Sequence, residues 1–185
     1  MIQETDESIA ARVQKGDGDA FGGLVERYQE KLMRYARKFL PDPDDAKDIV
    51  QDIFIKTYEN MQSFDAARRF SPWIYRIAHN EFVNALKKRS ASRTVFAFDI
   101  DTLFPHLAAP ETADSATLER DMRRTLEVHL DKLAAKYREP LILYYLESMD
   151  YKEISEILQI PVSTVGVRLA RARGMLKKIA GDAPL

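Results

Sequence analysis

Apolar residues recur at helical spacing along most of the chain. Ile9 and Val13 stand at i, i+4 behind Thr5, a natural cap, and predict a short helix over residues 5–15. Gly16-Asp17-Gly18-Asp19 breaks it, and Asp19 is placed to cap a longer helix over 20–40. Phe21, Leu24, Val25, Tyr28, Leu32, Tyr35 and Phe39 form the stripe of that helix. Pro41-Asp42-Pro43 ends it. The next helix, over 44–61, turns Ala46, Ile49, Val50, Ile53, Phe54, Thr57, Tyr58 and Met61 inward. A loop over 62–70 follows. Ser71-Pro72 is a cap-then-proline start, and the helix after it runs to Arg89 with Ile74, Ile77, Ala78, Phe82, Ala85 and Leu86 inward.

From residue 90 to 117 the rhythm is lost. Pro105, Pro110 and a mixture of Ala, Ser, Thr and Asp read as a linker, acidic at Asp99, Asp101, Glu111 and Asp114. Helical spacing resumes over 118–136 with Leu118, Met122, Leu126, Leu130 and Leu133. Lys136-Tyr137-Arg138-Glu139-Pro140 is expected to break it. The apolar run from Leu141 to Leu146 supplies a central helix. Two short helices around a tight turn come next. Ile154, Ile157 and Leu158 give the first its apolar face. Pro161 biases Ile160 away from helix, and Ser163 or Thr164 is placed to cap the second. Val165, Leu169, Ala172, Leu176 and Ile179 are its inward stripe. The fold class is all-α. Two small helical domains, residues 1–90 and 118–185, are joined by a flexible acidic linker over 91–117, and the second ends in a helix-turn-helix.

The 185 residues are 45% hydrophobic and 31% charged, which fits packed globular domains, and the net charge is only −1. Nucleic-acid binding must therefore rest on segregated charge. The absence of cysteine excludes disulfides, thiolate metal sites and a cysteine nucleophile. His79, His106 and His129 lack ligand spacing, and no acid–base pair or Gly-rich phosphate loop is present. No catalytic residue, metal or cofactor is expected. No apolar run is long enough to span a membrane and no secretory leader stands at the start, so the expected location is the cytoplasm.

The charges are segregated. Asp42, Asp44 and Asp45 open the helix over 44–61, and Asp48, Gln51, Asp52 and Ile55 share its outward face. A docking surface for a basic partner and a merely solvated face both fit that pattern. From Arg68 to Arg93 there are seven basic residues and one acid, Glu81. The loop joins Phe64 and Phe70 to Arg68 and Arg69. Its aromatics suit either stacking on unpaired bases or core packing, and core is the favoured role for Trp73. Arg76, Asn80, Asn84, Lys87 and Lys88 suit base edges beside phosphates. In the last helix no acid lies between Val162 and Ile179. A capped helix with one apolar side and basic remaining faces, preceded by a support helix, is the pattern that enters a DNA major groove. Ser163, Val167, Ala170 and Arg171 are expected to project together with Gly166 beside them. Arg168, Arg171, Arg173, Lys177 and Lys178 are expected to neutralise phosphates.

The stretches DPDDAKDIVQDIFIKTY, FSPWIYRIAHNEFVNALKKR and YREPLILYYLESMDYKEISEILQIPVSTVGVRLARARGMLKK carry a resemblance to a known family. The chain resembles an extracytoplasmic-function sigma factor of the sigma-70 family over residues 19–178. The resemblance implies a transcription initiation factor that binds core RNA polymerase and promoter DNA and is restrained by an anti-sigma factor. It puts Asp48, Gln51, Asp52 and Phe54, with Asp45 and Ile55 beside them, against the polymerase clamp. It puts the loop of Phe64, Arg68, Arg69 and Phe70 where a base of the −10 element is flipped out. Arg76, Asn80, Asn84, Lys87 and Lys88 then lie on the helix reading that element. The helix after Pro161 reads the −35 element through Ser163, Thr164, Gly166, Val167, Arg168, Ala170, Arg171, Arg173 and Lys178. Many relatives carry a polar or basic pair where this chain has Gly166-Val167. Arg171 can make a bidentate contact to guanine, and Val167 and Ala170 leave a neighbouring position biased toward thymine or weakly specified. The alternative is a helix-turn-helix repressor or activator, which would not need the acidic helix.

Overall fold

Thr5 opens the first helix, its hydroxyl accepting the N–H of Ser8 at 3.2 Å, and α1 runs over Asp6–Gln14. The computed structural model describes residues 4–40, 42–89 and 129–180. The linker expected over 91–117 and the helical turns expected over 118–128 lie outside the described residues. The chain divides into two compact units, residues 1–94 and 95–185. Every regular element among the described residues is helical, and no helix among them is long and apolar enough to cross a membrane.

The first unit adds α2 (Phe21–Arg37), α3 (Pro43–Glu59) and α4 (Phe70–Arg89) to α1. The cap before α2 is Asp17 and not Asp19. Its carboxylate accepts the Ala20 N–H at 3.3 Å across a 3-10 turn, Gly18–Ala20. Gly16 at φ +99° permits the reversal that sets this turn up. Asp42 caps α3 ahead of Pro43, as acid and proline at a helix start should. The buried stripes are Leu24, Tyr28, Leu32 and Tyr35 on α2, and Ala46, Val50, Ile53 and Thr57 on α3. On α4 they are Phe70, Ile74, Tyr75, Ala78 and Phe82. Burying each large apolar side chain contributes roughly 1.5–3 kcal/mol, so these stripes outweigh helix propensity. Tyr35 sits edge-on to Tyr75 at 5.3 Å and to Phe82 at 5.0 Å, locking α2 to α4.

Three expectations need correction here. Tyr58 is half exposed and not inward, and Ile49 and Phe54 are only partly covered. The side of α3 that carries Phe54 and Tyr58 borders an open groove. Ser71 is not the cap of α4, because the helix starts one residue earlier at Phe70. The carboxylate of Glu7 accepts the Phe70 N–H at 2.9 Å, and so replaces a local cap with one from a distant helix.

The second unit begins, among the described residues, with a 3-10 turn, Leu130–Lys132, and Leu133 in extended backbone. The guanidinium of Arg138 donates to the Leu133 carbonyl at 2.8 Å across that break. The break therefore falls before residue 136 and not over 136–140. α5 (Ala135–Leu141) carries Pro140 inside it. An interior proline costs about 3 kcal/mol, which burial of Tyr137, Leu141, Ile142 and Leu143 offsets. The ladder then widens into a π-helical turn, Ile142–Leu146, with the Glu147 N–H reaching the Ile142 carbonyl at 3.1 Å. α6 (Tyr151–Leu158) starts with a capping box: Asp150 accepts the Glu153 N–H at 2.8 Å and Glu153 accepts the Asp150 N–H at 3.0 Å. α7 spans Val162–Ala180. Ser163 and Thr164 lie inside its first turn and not at its cap. The Pro161 carbonyl already accepts the N–H groups of Thr164 and Val165 at 2.9 and 3.1 Å.

Between α6 and α7 Gln159 adopts the left-handed conformation, φ 55° and ψ 43°, where a side chain is strained and glycine is not. Gln159→Gly is expected to stabilise the second unit by about 0.5–1 kcal/mol. Thermal unfolding checks this. A lower midpoint for the variant would show that the turn is held by the Gln159 side chain.

Candidate nucleic-acid and partner interfaces

On α3 the acids of the outward face are where their spacing put them. Asp48, Gln51 and Asp52 are exposed, Asp45 is half-buried, and Ile55 shows 47% of its surface. Asp44 holds Lys47 at 3.0 Å, which cancels one charge at the helix start but leaves Asp48 and Asp52. Beside this face α2 and α3 leave a groove of about 750 Å³. Phe21, Val25, Met33, Phe54, Ile55 and Tyr58 line it, with Gln51 and Glu59 at the edge. Phe21 stands edge-on to Tyr58 at 5.2 Å, which props the aromatic wall. Of this apolar lining the sequence reading placed Phe54 and Ile55 on the docking surface and missed Phe21, Val25, Met33 and Tyr58, because Phe21, Val25 and Tyr58 fit the inward stripes. An exposed apolar groove beside acids is built to take an apolar ridge flanked by cations.

The loop between α3 and α4 differs from its expected form. Phe64 and Phe70 are buried and do not offer open faces for stacking. Their rings meet edge-on at 5.4 Å. Trp73 lies 5.1 Å from Phe64 and 5.6 Å from Phe70, and Tyr28 lies 5.4 Å from Phe70. Core packing wins here, with four aromatic rings in mutual contact. Between the two phenylalanines Asp65, Ala66, Ala67, Arg68 and Arg69 are all exposed. The Asp65 carboxylate accepts the Ala67 N–H at 3.0 Å and its carbonyl the Arg68 N–H at 2.9 Å, which folds the tip into a turn.

Arg76, Asn80, Asn84 and Lys88 are exposed along α4, four residues apart, and so climb about 18 Å of helix. The side chain of Lys87 lies outside the described residues. Glu81, the one acid of this segment, is bound to Lys56 of α3 at 2.6 Å, so it does not face the exposed cations as an unpaired charge.

In the second unit α7 exposes part of its expected surface. Ser163, Lys177 and Lys178 are exposed, and Gly166, Ala170 and Arg171 are partly exposed. Thr164, Val167 and Arg168 are buried, at 6%, 5% and 7% exposure, and so leave the expected contact set. Burial pushes the Arg168 guanidinium below its ordinary pKa. The reason is width: α5 and α6 both pack on α7, so its covered arc is broader than one apolar stripe. Arg173 is engaged within the fold. Its Nε donates to the Tyr145 hydroxyl at 2.7 Å, and its guanidinium lies over the rings of Tyr144 and Tyr145 at 5.6 and 5.5 Å. A side chain built at Gly166 would meet Tyr151 at 3.6 Å, so that position borders α6 as well as solvent.

Known proteins share this organisation. Residues 24–92 match the family model Sigma-70 region 2, and residues 123–176 match Sigma-70, region 4. The ECF RNA polymerase sigma factor SigW of Bacillus subtilis is 34% identical over 92% of this chain and 94% of its own length. The ECF RNA polymerase sigma-E factor of Escherichia coli K12 is 35% identical over 92% of each chain. Among solved structures, CnrH in complex with the cytosolic domain of CnrY is similar with a TM-score of 0.67 at 28% identity. That match covers 98% of this chain and all of the other. The sigma factor RpoE of Bartonella quintana, in complex with the anti-sigma factor NepR, has a TM-score of 0.63 at 25% identity over 89% of this chain and 98% of its own.

The burial pattern separates scaffold from surface within one loop. Phe70→Ala is expected to destabilise the first unit by about 3–5 kcal/mol, and Arg69→Ala by less than about 0.5 kcal/mol. Urea unfolding measures both. Equal costs would contradict the assignment of Phe70 to the core.

Proposed function

Because the chain belongs to the extracytoplasmic-function group of the sigma-70 family, we propose that its exposed surfaces divide the work of promoter recognition. It is a transcription initiation factor and not an enzyme: it binds core RNA polymerase and promoter DNA. In this reading the face of Asp45, Asp48, Gln51, Asp52 and Ile55, with Phe54 in the adjoining groove, docks on the polymerase clamp. The tip from Asp65 to Arg69 and the exposed row Arg76, Asn80, Asn84 and Lys88, continued by Lys87, receive the −10 element. Phe64 and Phe70 then serve as the floor beneath the tip.

The exposed side of α7 reads the −35 element. Arg171 makes a bidentate contact to guanine, Ser163 and Ala170 lie against neighbouring base edges, and Lys178 meets phosphate. Gly166 permits a close backbone approach. The single observation that carries the whole is charge segregation. One unit carries acids on α3 and cations on the tip and α4, and Lys56 neutralises Glu81, the acid of α4. Different faces of one small unit are thereby suited to a basic protein surface and to a polyanion.

Residues 91–117 are the linker between the two DNA-reading domains, 1–90 and 118–185. The protein works in the cytoplasm, where its polymerase and promoter are. An anti-sigma factor restrains it by covering the groove between α2 and α3, and a membrane-bound form of that partner would hold the chain at the membrane. Support for this comes from the solved RpoE–NepR complex and from the apolar groove.

Two experiments test the division. Asp48→Lys with Asp52→Lys is expected to weaken capture of core polymerase at least about tenfold, roughly 1.4 kcal/mol, with helical content intact. Capture equal to that of the parent would remove α3 from the docking surface. Run-off transcription with core polymerase and randomised −35 sites is expected to select a guanine whose preference, roughly 1–3 kcal/mol, is lost in Arg171→Ala. Retention of the guanine in that variant would remove Arg171 from base reading.

A further inference from the structure

Helix α1 lies before the segment that matches Sigma-70 region 2, and none of its side chains was a candidate for DNA or polymerase contact. Yet it holds both ends of the loop. At the entry, the Gln14 amide donates to the carbonyls of Met61 at 2.9 Å and Phe64 at 2.7 Å. The Gln62 amide returns a bond to the Gln14 carbonyl at 3.0 Å. At the exit, the Glu7 carboxylate accepts the Phe70 N–H at 2.9 Å, where α4 begins. Between the fixed Phe64 carbonyl and the fixed Phe70 N–H lie only the five exposed residues Asp65 to Arg69.

The helix that makes these bonds is itself anchored. Asp6, next to Glu7, accepts the Tyr28 hydroxyl at 2.6 Å and the Arg27 guanidinium at 2.5 Å. Burial, with Asp6 alongside, pushes the Tyr28 hydroxyl well above the ordinary tyrosine range. Ile9, Ala10 and Val13 are buried on the same helix.

We infer that Gln14 and Glu7 are positioning residues for −10 recognition, clamping the two ends of the base-receiving tip to α1. This rests on the reading that the tip and α4 receive the −10 element. A loop fixed at both ends before DNA arrives has already lost most of its freedom on folding. The ordering cost is then not charged against binding. Neither residue touches DNA in this scheme. Gln14 supplies one donor to the Phe64 carbonyl and a second to the Met61 carbonyl, which also accepts the Phe64 N–H at 3.1 Å, and Glu7 supplies an acceptor where α4 exposes its first N–H groups.

The test uses holoenzyme reconstituted from the full chain and core polymerase, on a promoter selected by run-off transcription. The readouts are permanganate reactivity of −10 thymines, affinity for core polymerase and the unfolding midpoint. Gln14→Ala removes two donors and is expected to reduce promoter melting roughly tenfold. Glu7→Ala is expected to reduce it several-fold, and Glu7→Gln, which keeps an acceptor, to restore it. Core affinity should stay at the parent value in all three. If Gln14→Ala does not fold, the pair Glu7→Ala and Glu7→Gln carries the same decision. Parental melting in Glu7→Ala and in any folded Gln14→Ala, alongside reduced melting in Asn80→Ala, overturns the clamp and leaves the −10 reading intact. Parental melting in Asn80→Ala and Arg69→Ala as well overturns both. Loss of melting in Glu7→Gln equal to that in Glu7→Ala overturns the role given to its acceptor.

Discussion

Phe70 has no exposed surface, and most of the first unit's working geometry depends on that burial. Its ring closes a junction with Tyr28 of α2, Trp73 of α4 and Phe64 at the far end of the loop. Its N–H, the first donor of α4, is satisfied by Glu7 from α1. One residue thus joins α1, α2, α4 and the loop. With Phe64 and Phe70 both in the core, the short segment between them has nowhere to go but outward. Its five exposed residues, two of them arginines, form a tip of limited freedom over an aromatic floor. A surface that must capture one element of a promoter gains from such a floor, because the tip cannot collapse onto the helices below it.

The helices themselves were legible in the sequence because an amphipathic stripe has one physical cause and one period. The centres of the stripes appear as read, Leu24, Tyr28, Leu32 and Tyr35 on α2 and Ile74, Ala78 and Phe82 on α4. Phe21 and Val25 instead line the groove, and Ile77, Ala85 and Leu86 are only partly covered. What periodicity could not supply was anything decided by a distant partner. The start of α4 belongs to Glu7, sixty-three residues away, so Ser71 looked like the cap when it was not. Phe64 and Phe70 sat in a segment without rhythm, and only their assembly with Tyr28 and Trp73 reveals them as core. Pro140 looked like a breaker because its local cost is plain, while the burial that offsets it comes from the whole second unit. On α7 one stripe was visible, yet two helices cover it, and Thr164, Val167 and Arg168 vanish under the extra contact.

The same lesson applies to charge. Counting cations on α7 treated Arg173 and Lys178 alike, although Arg173 is spent on Tyr144 and Tyr145 and Lys178 is exposed. Counting acids on α4 left Glu81 as a flaw in a basic surface, although Lys56 cancels it. With a net charge of −1 the protein has no global attraction for DNA. In the proposed division of surfaces its partners are sorted by which face they meet, and that sorting is a property of the fold more than of the composition.

The central claim is that three surfaces meet three different partners within one initiation complex. Site-specific photocrosslinking tests it most directly. A photoreactive residue is placed at Ile55 on α3, at Ala67 in the tip, or at Ala170 on α7, in holoenzyme bound to its promoter. The account predicts that Ile55 crosslinks to a polymerase subunit, Ala67 to a −10 strand and Ala170 to the −35 duplex. Crosslinks from Ile55 to DNA, or from Ala67 to polymerase with none to the −10 strand, would contradict it.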